Sequence, residues 1–233
     1  NWYDYGARHY DAALGRFTTV DPSSENYYAF NPYSYCVNNP IKYIDPDGKD
    51  FIIWYKDSNG KQAYFSFNGK NAAMAPNNSF VNAVVEAYFY NSKNGGGEYA
   101  QKKVGIVESD KDNRFDSSGF IRFNPNAGLK LNDGNILSPA TGLEHEAAHA
   151  FNMKTNKVDE SPDTRYGTKE ERSVIQGAEL KTAKANGELP LMHKGRIKHS
   201  EGQWVVTKSV TSNVESSSVE SQELRNRIFK FRN

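Results

Sequence analysis

The most constraining feature of this chain is an HExxH pattern, HEAAH, at residues 145–149. Ser138 followed by Pro139 is typical of a helix start, with the serine as N-cap and the proline in the first turn. Two histidines four residues apart on a helix lie on one face, so both imidazoles can reach a single ion. The sequence therefore predicts a metal site on this helix, with His145 and His149 as ligands.

Glu146 directly follows the first histidine. In this pattern the glutamate does not bind the metal but faces a water molecule there, as its general base. Zinc is the expected ion, because it lowers the pKa of a bound water to about 7 and so lets a carboxylate accept the proton at neutral pH. The pattern thus predicts zinc-dependent hydrolysis of peptide bonds.

A hydrolytic zinc site needs a third protein ligand. The longer form of this pattern has a glycine at 152 and a third histidine ligand at 155, but this chain has Asn152 and Thr155 at those positions. Glu171, at the start of the next predicted helix, is the preferred ligand and Glu170 is the alternative. Residues 168–171 also match a capping box, in which Glu171 would cap the helix and leave Glu170 to bind. The glutamate that does not bind is expected to orient a histidine ligand. Three other carboxylates remain open as ligands: Asp159, Asp163 and Glu179.

Two basic residues follow the second helix. Arg196 and His199 are candidates to stabilise the negative charge that develops on a carbonyl oxygen during hydrolysis. The alternative is that residues 194–199 form an ordinary basic surface loop.

Composition limits the other functional classes. With 233 residues and a net charge of +1, the chain offers no global electrostatic attraction for nucleic acid or acidic lipid. Cys36 is the single cysteine, which excludes an intrachain disulfide and a cysteine-based zinc site. No apolar run approaches the roughly 20 residues of a membrane span. The chain opens without methionine and in mid-pattern, so we expect it to be a fragment of a longer protein.

Local patterns predict an α+β domain over residues 50–233, because strands come first and paired helices follow. The first helix is expected to be capped within residues 77–79, and the next two are expected to begin after Ser138 and Thr168. The segment at 120–123 is expected to line the cleft and to pair with substrate as an added strand. The predicted strands are 51–55 and 62–67, joined by a turn at Asn59-Gly60, and then 104–107, 120–123 and 203–206.

Residues 1–49 differ in texture and are rich in Tyr, Asn, Pro and Gly, which predicts short extended pieces and tight turns. The segments YGARHYD (5–11), GRFTTVDP (15–22) and PIKYIDPDG (40–48) resemble the end of an Rhs repeat-associated core. The resemblance implies that this segment belongs to a large β-shell enclosing a C-terminal toxin. It also implies a self-cleavage site formed by Arg8, Asp21 and Asp45, with the cut near residues 49 and 50.

The second resemblance covers about residues 138–186. An HExxH pattern followed by a glutamate pair at the next helix start is similar to NleD-like effector peptidases and clostridial neurotoxin light chains. It implies a zincin-like domain, in which a small mixed sheet packs on the active-site helix and a second helix brings the third ligand. In the light chains the second glutamate of the pair is the ligand, which favours Glu171.

Together the two resemblances imply the toxin domain of an Rhs-type polymorphic toxin. It would be secreted or injected into a target cell as part of a larger bacterial protein. There it would act as a zinc endopeptidase on a target-cell protein, with an immunity protein and the β-shell of its parent chain as partners.

Two other hypotheses stay open. The first is a non-catalytic interaction or adhesion tip, whose metal site is degenerate or structural; a structural zinc site is closed by four protein ligands. The second is a nuclease toxin, against which the near-neutral charge and the absence of a basic stripe argue.

Overall fold

A computed structural model describes residues 2–4, 9–11, 13–20, 33, 51–99, 104–116 and 119–217. The chain divides into two compact units, Asn1–Lys49 and Asp50–Asn233. In the first unit, the described strands form an antiparallel sheet in the order β1-β2-β3. These strands are β1 (Trp2–Asp4), β2 (His9–Asp11) and β3 (Arg16–Phe17).

The self-cleavage residues predicted by resemblance, Arg8, Asp21 and Asp45, lie outside the described residues, as does the predicted cut near residues 49 and 50. The self-cleavage site therefore stays a prediction.

The second unit is built on a five-stranded mixed sheet. Its strands are β4 (Phe51–Lys56), β5 (Gln62–Phe67), β6 (Gly105–Glu108), β7 (Arg114–Phe115) and β8 (Phe120–Phe123). Their order is β5-β4-β6-β8-β7, with parallel pairing of β6 to both neighbours and antiparallel pairing at the two ends. The four strands predicted in this part of the sequence are confirmed; the short edge strand β7 was not predicted.

The β4–β5 connection follows the predicted turn. Gly60 adopts a φ of 74°, a conformation that glycine takes without steric cost. The Asp57 carboxylate accepts hydrogen bonds from the backbone N–H groups of Asn59 and Lys61, which closes the loop.

Helices α1 (Ser79–Lys93) and α2 (Pro139–Lys154) bury apolar faces in the core that they share with the sheet. Ser138 caps α2 by accepting from the Thr141 N–H, as predicted. Within the segment 77–79 that was expected to cap α1, the cap is Asn78, which accepts from the Val81 N–H. The largest fully buried apolar side chains include Phe67, Phe80, Phe123, Ile53, Ile106, Ile121 and Leu143.

A third helical stretch begins after Thr168, as predicted, but it is not uniform. It consists of α3 (Lys169–Val174), a π-helical segment (Ile175–Glu179) and α4 (Leu180–Ala185), which follow one another without a gap. The π segment was not predicted, and it determines where Glu179 points.

Smaller elements complete the unit. An antiparallel sheet has the order β10-β9-β13, and a two-stranded ladder joins β11 to β12. The predicted strand at 203–206 is confirmed as β13. The α+β class is also confirmed. These elements are β9 (Ala127–Lys130), β10 (Ile136–Leu137), β11 (Pro162–Asp163), β12 (Gly167–Thr168), β13 (Gln203–Val206) and a 3-10 turn (Ala72–Met74).

The prediction that the strand at 120–123 lines the cleft is wrong. This strand, β8, lies between β6 and β7, so both of its edges are already paired. The strand that borders the cavity described below is β7, through Arg114 and Phe115. Within the described part of the chain, no helix has the length and apolarity that crossing a membrane requires.

Candidate metal centre

Helix α2 is held from two sides by the alanines between its histidines. Ala147 packs into the core with the main sheet, and Ala148 packs against Val174 and Ala178 of the third helical stretch. Both alanines are essentially inaccessible to solvent. The small methyl groups let α2 lie close to both neighbours, which places its histidine face against the glutamates of α3.

Three side chains from two helices converge beside α2. His145 Nε2 and His149 Nε2 lie 3.2 Å apart, Glu171 Oε2 lies 3.1 Å from His149 Nε2, and Glu171 Oε1 lies 3.4 Å from His145 Nε2. Among the described residues, this is the group of histidine and acidic side chains whose ligand atoms, all within 4.8 Å of one another, could hold a metal ion.

The donor set fits a four-coordinate ion. Zinc bonds to nitrogen and carboxylate oxygen at about 2.0–2.2 Å, so tetrahedral ligands around it lie about 3.3 Å apart. The 3.2 Å between the two Nε2 atoms and the 3.1 Å from His149 Nε2 to Glu171 Oε2 correspond to that spacing, and the 3.4 Å contact of His145 Nε2 is with the other carboxylate oxygen, Oε1. Oε1 of Glu171 is also buried without a hydrogen-bond partner, which fits an oxygen that can coordinate a cation.

Glu170 and Glu171 have different surroundings. Thr168 caps α3 by accepting a hydrogen bond from the Glu171 N–H, which leaves the Glu171 carboxylate free to face the two imidazoles. Glu170 Oε1 instead lies 3.2 Å from His149 Nδ1 and accepts a hydrogen bond from Asn152 Nδ2 at 3.0 Å. Glu171 is therefore the glutamate of the pair that could hold an ion with the two histidines, and Glu170 contacts the opposite nitrogen of His149.

The carboxylates make the site strongly attractive to positive charge. Burial opposes charge on His145, but its contacts with the Glu171 and Glu179 carboxylates outweigh it and raise the His145 pKa to about 10. Burial acts to raise the Glu171 pKa, but its contacts with His145 and His149 hold it well below its usual value. The same carboxylates that favour a proton on the rings would favour a metal cation in its place.

Glu179 completes the support of the first histidine. Its Oε2 lies 2.9 Å from His145 Nδ1, and Arg196 donates from Nε to Glu179 Oε1 at 2.8 Å. Burial acts to raise the pKa of Glu179, but the Arg196 charge and the contact with His145 lower it to about 2. Glu179 is therefore an ionised partner of His145 rather than the third ligand.

Arg196 and His199 have different surroundings. Arg196 is 7% exposed and pairs with Glu179, and its predicted role at a carbonyl oxygen stays a prediction. The His199 side chain is 62% exposed, and its Nε2 lies 3.5 Å from Glu171 Oε1. His199 thus stands at the mouth of the site, with access to a bound molecule.

Glu146 is 9% exposed and faces the edge strand. Its Oε2 accepts a hydrogen bond of 2.6 Å from the backbone N–H of Phe115 in β7. Glu146, His145, His149 and Glu171 all line one cavity of about 870 Å³, a size typical of ligand sites. The predicted general base and the candidate ligands therefore share one water-accessible space.

Asp159 and Asp163 do not join the centre. The Asp159 carboxylate accepts a hydrogen bond from Ser161, and that of Asp163 accepts hydrogen bonds from Arg165 and Tyr166 within a turn. The expectation that either could be the third ligand is wrong, because both carboxylates organise the loop before α3.

Comparison with known proteins adds little on function. No family model matches the chain, and no solved structure matches it. Salivary gland surface protein 1 of Aedes aegypti is 49% identical over 47 residues, which is 20% of this chain and 1% of that protein. The chain thus spans a very small part of this relative.

Proposed function

We propose that residues 50–233 form a zinc-dependent endopeptidase domain with a zincin-like arrangement. The observation that carries the proposal is the convergence of His145, His149 and Glu171 on the wall of a cavity that Glu146 also lines. Two histidines and one glutamate are a ligand set of hydrolytic zinc sites, which keep their fourth position for water or substrate.

The residues of the chain have separate tasks in this proposal. His145, His149 and Glu171 would hold the ion. Zinc in such a site lowers the pKa of a bound water and polarises a carbonyl group. Glu146 accepts the proton of the attacking water, and the Phe115 N–H fixes the direction of its carboxylate. His199, exposed at the mouth, donates a hydrogen bond to the carbonyl oxygen as negative charge develops there.

The shape of the cavity supports a peptide as substrate. The edge strand β7 borders it on one side, and among the described residues β7 pairs with one strand, β8. An extended peptide can add to a strand edge by backbone hydrogen bonds, with its side chains alternating between the two faces. On the outer edge of β7 the Phe115 N–H already donates to Glu146, so a peptide added there would lie beside Glu146 and pair with the remaining backbone groups. Val158 and Met153, both partly exposed, offer apolar contacts on the cavity wall.

The biological setting rests on the two sequence resemblances. Residues 1–49 would be the end of an Rhs core, and residues 50–233 would be the toxin that its β-shell encloses. The domain would then be secreted or injected, cut a protein of the target cell and be neutralised by an immunity protein in the producing cell.

A non-catalytic interaction tip with a structural metal is the alternative. Among the described residues, the centre has three candidate ligands and opens to a cavity, whereas a structural site is closed by four. In a structural site Glu146 would act only on β7, through the Phe115 N–H, and would have no task at the metal. These features favour the catalytic proposal.

The test compares the wild-type chain with Glu146→Gln. Both proteins are loaded with zinc, freed of excess metal and analysed for zinc per chain; both are then incubated with a library of unstructured peptides. We expect one zinc per chain in both, and peptide cleavage by the wild type that falls at least 100-fold in the variant. Zinc in both without cleavage would favour the structural site, and absence of zinc from both would overturn the metal centre itself.

A further inference from the structure

A buried chain of contacts runs from the first candidate ligand to the loop at the mouth of the site. His145 Nδ1 lies 2.9 Å from Glu179 Oε2, and two nitrogens of Arg196 donate to the two oxygens of Glu179. The remaining guanidinium nitrogen, Nη1, donates to the backbone carbonyl of His199 at 3.0 Å. Arg196 therefore contacts both Glu179, which lies behind His145, and the backbone of His199, which faces the cavity.

The π segment explains how Glu179 reaches His145. In an uninterrupted α-helix, Glu179 would be eight residues after Glu171 and would point about 80° away from it. A π turn accommodates one extra residue, so Glu179 takes the orientation of a residue seven positions on, within about 20° of Glu171. Glu171 and Glu179 therefore lie on the same face, two turns apart, and both meet His145.

The backbone of Arg196 is held as firmly as its side chain. Its carbonyl oxygen accepts hydrogen bonds from the Tyr166 hydroxyl at 2.9 Å and from Gln176 Nε2 at 2.6 Å. Gln176 belongs to the π segment itself. The π segment therefore both positions Glu179 and holds the loop that carries Arg196, the partner of Glu179.

Stability alone is a weak explanation for such a pair. Both side chains are less than 10% exposed, and a buried ion pair loses hydration that its attraction often fails to recover. Apolar side chains of similar size often give equal or greater stability in such places. An orienting role accounts for charges at this position.

We infer that Glu179 and Arg196 are positioning residues, which orient His145 for metal binding and couple that orientation to the loop that presents His199. The inference rests on the proposed metal centre. The contact between Glu179 and His145 Nδ1 is close but lacks regular hydrogen-bond geometry. Hydrogen bonds at catalytic sites are often poorly aligned before a ligand binds and tighten in the complex. Metal binding should accordingly order the contact, and with it the loop at 196–201.

The test measures zinc affinity by chelator competition and folding stability by urea unfolding. The variants are Glu179→Gln, Arg196→Met and the double variant. Glu160→Gln, which removes an exposed glutamate from the loop before α3, controls for the loss of one negative charge. We expect Glu179→Gln to weaken zinc binding 10- to 100-fold, as is typical when the partner of a ligating histidine is lost. Glu160→Gln should bind zinc within about twofold of the wild type.

The double variant separates orientation from folding. Removing both charges leaves neither one buried alone, so its stability should lie closer to the wild type than that of either single variant. Its zinc affinity should nevertheless stay at least tenfold weaker than that of the wild type. The visible spectrum of its cobalt(II) form should also differ from that of the wild type.

Three outcomes can be told apart. Wild-type affinity in Glu179→Gln, or affinity that recovers together with stability in the double variant, would overturn the positioning role and leave the metal centre intact. Absence of zinc from the wild type would overturn the centre and the inference together. Weak zinc binding by the double variant, together with stability close to that of the wild type, would establish the positioning role.

Discussion

The Nε2 atoms of His145 and His149 lie 3.2 Å apart, with their rings inclined at 71° to each other. The opposite nitrogen of each ring meets a carboxylate, Glu179 behind His145 and Glu170 behind His149. Each imidazole therefore contacts a carboxylate through Nδ1, while its Nε2 faces the position where an ion could bind. The following predictions test this arrangement and the fold that supports it.

Glu171→Ala and Glu170→Ala should differ sharply in metal binding. Loss of Glu171 removes a ligand atom, so we expect no retained zinc after gel filtration. Loss of Glu170 removes only the partner of His149 Nδ1, so one zinc should remain, with affinity reduced about 10- to 100-fold. Elemental analysis and chelator competition measure the two effects. The reverse pattern would make Glu170 the ligand.

Zinc should stabilise the folded domain, because the three ligands converge only when α2 and α3 are packed together. At a free zinc concentration 100 times the dissociation constant, the gain is about 2.7 kcal/mol. For a domain of this size it corresponds to a rise in Tm of about 5–10 °C. Thermal unfolding with and without a chelator measures it. Glu171→Ala should unfold at the same temperature in both conditions, and a chelator effect in that variant would place the ion elsewhere.

Gly142→Ala should destabilise the domain, although alanine is normally the better residue inside a helix. A Cβ at this position of α2 would lie 2.7 Å from Asn113 Nδ2. Asn113 is buried and cannot easily move, since its Oδ1 accepts from the Asn124 N–H and its Nδ2 donates to the Ala127 carbonyl. We expect a loss of about 1–2 kcal/mol, the usual cost of overpacking.

Gly177→Ala is the matched control for this substitution. Gly177 lies in the π segment, and an added Cβ there would meet nothing within 4 Å. We expect this variant to be about 0.4–1 kcal/mol more stable than the wild type, because alanine restricts the unfolded chain more than glycine does. Urea unfolding of both variants measures the difference, and equal effects would contradict the close approach of Asn113 to α2.

Glu188 should make stability depend on pH. It is 3% exposed, and burial raises its pKa to about 7 from 4.5, although hydrogen bonds from Ser138 and Thr141 act in the opposite direction. Between pH 4.5 and pH 7 the folded chain therefore keeps a proton that the unfolded chain releases. The stabilisation is complete below the lower value and is lost as pH rises through the higher one.

Glu188→Gln cannot ionise, so it isolates this effect. The free energy of unfolding of the wild type, relative to the variant, should fall between pH 5 and pH 8. Urea unfolding at the two pH values measures the difference. A difference that is constant, or that grows with pH, would mean that the donors at the start of α2 stabilise the charged form.

Local signals were enough to predict the elements that carry the ligands. Ser138 and Thr168 act as caps in the structure, and the four-residue spacing of His145 and His149 places both rings on one face. The turn at Gly60 was predictable for the same reason, because a short stretch of sequence determines it.

Features that depend on tertiary contact were not predictable. The two-residue strand β7 has no alternation to detect, and it is ordered by β8 and by the Glu146 carboxylate. Glu179 was one of several possible ligands because the π segment has no recognised signal in the residues that form it. Without that segment, its carboxylate would point away from His145.

The two alanines between the histidines determine where substitutions can accumulate in this domain. Ala147 is fixed against the sheet and Ala148 against the third helical stretch, so even one added methylene there would displace the ligand-bearing helix. The exposed side chains on the cavity wall, Met153 and Val158, carry no such restriction. Random mutagenesis selected for folding should therefore leave the middle of α2 almost invariant while these two positions diversify.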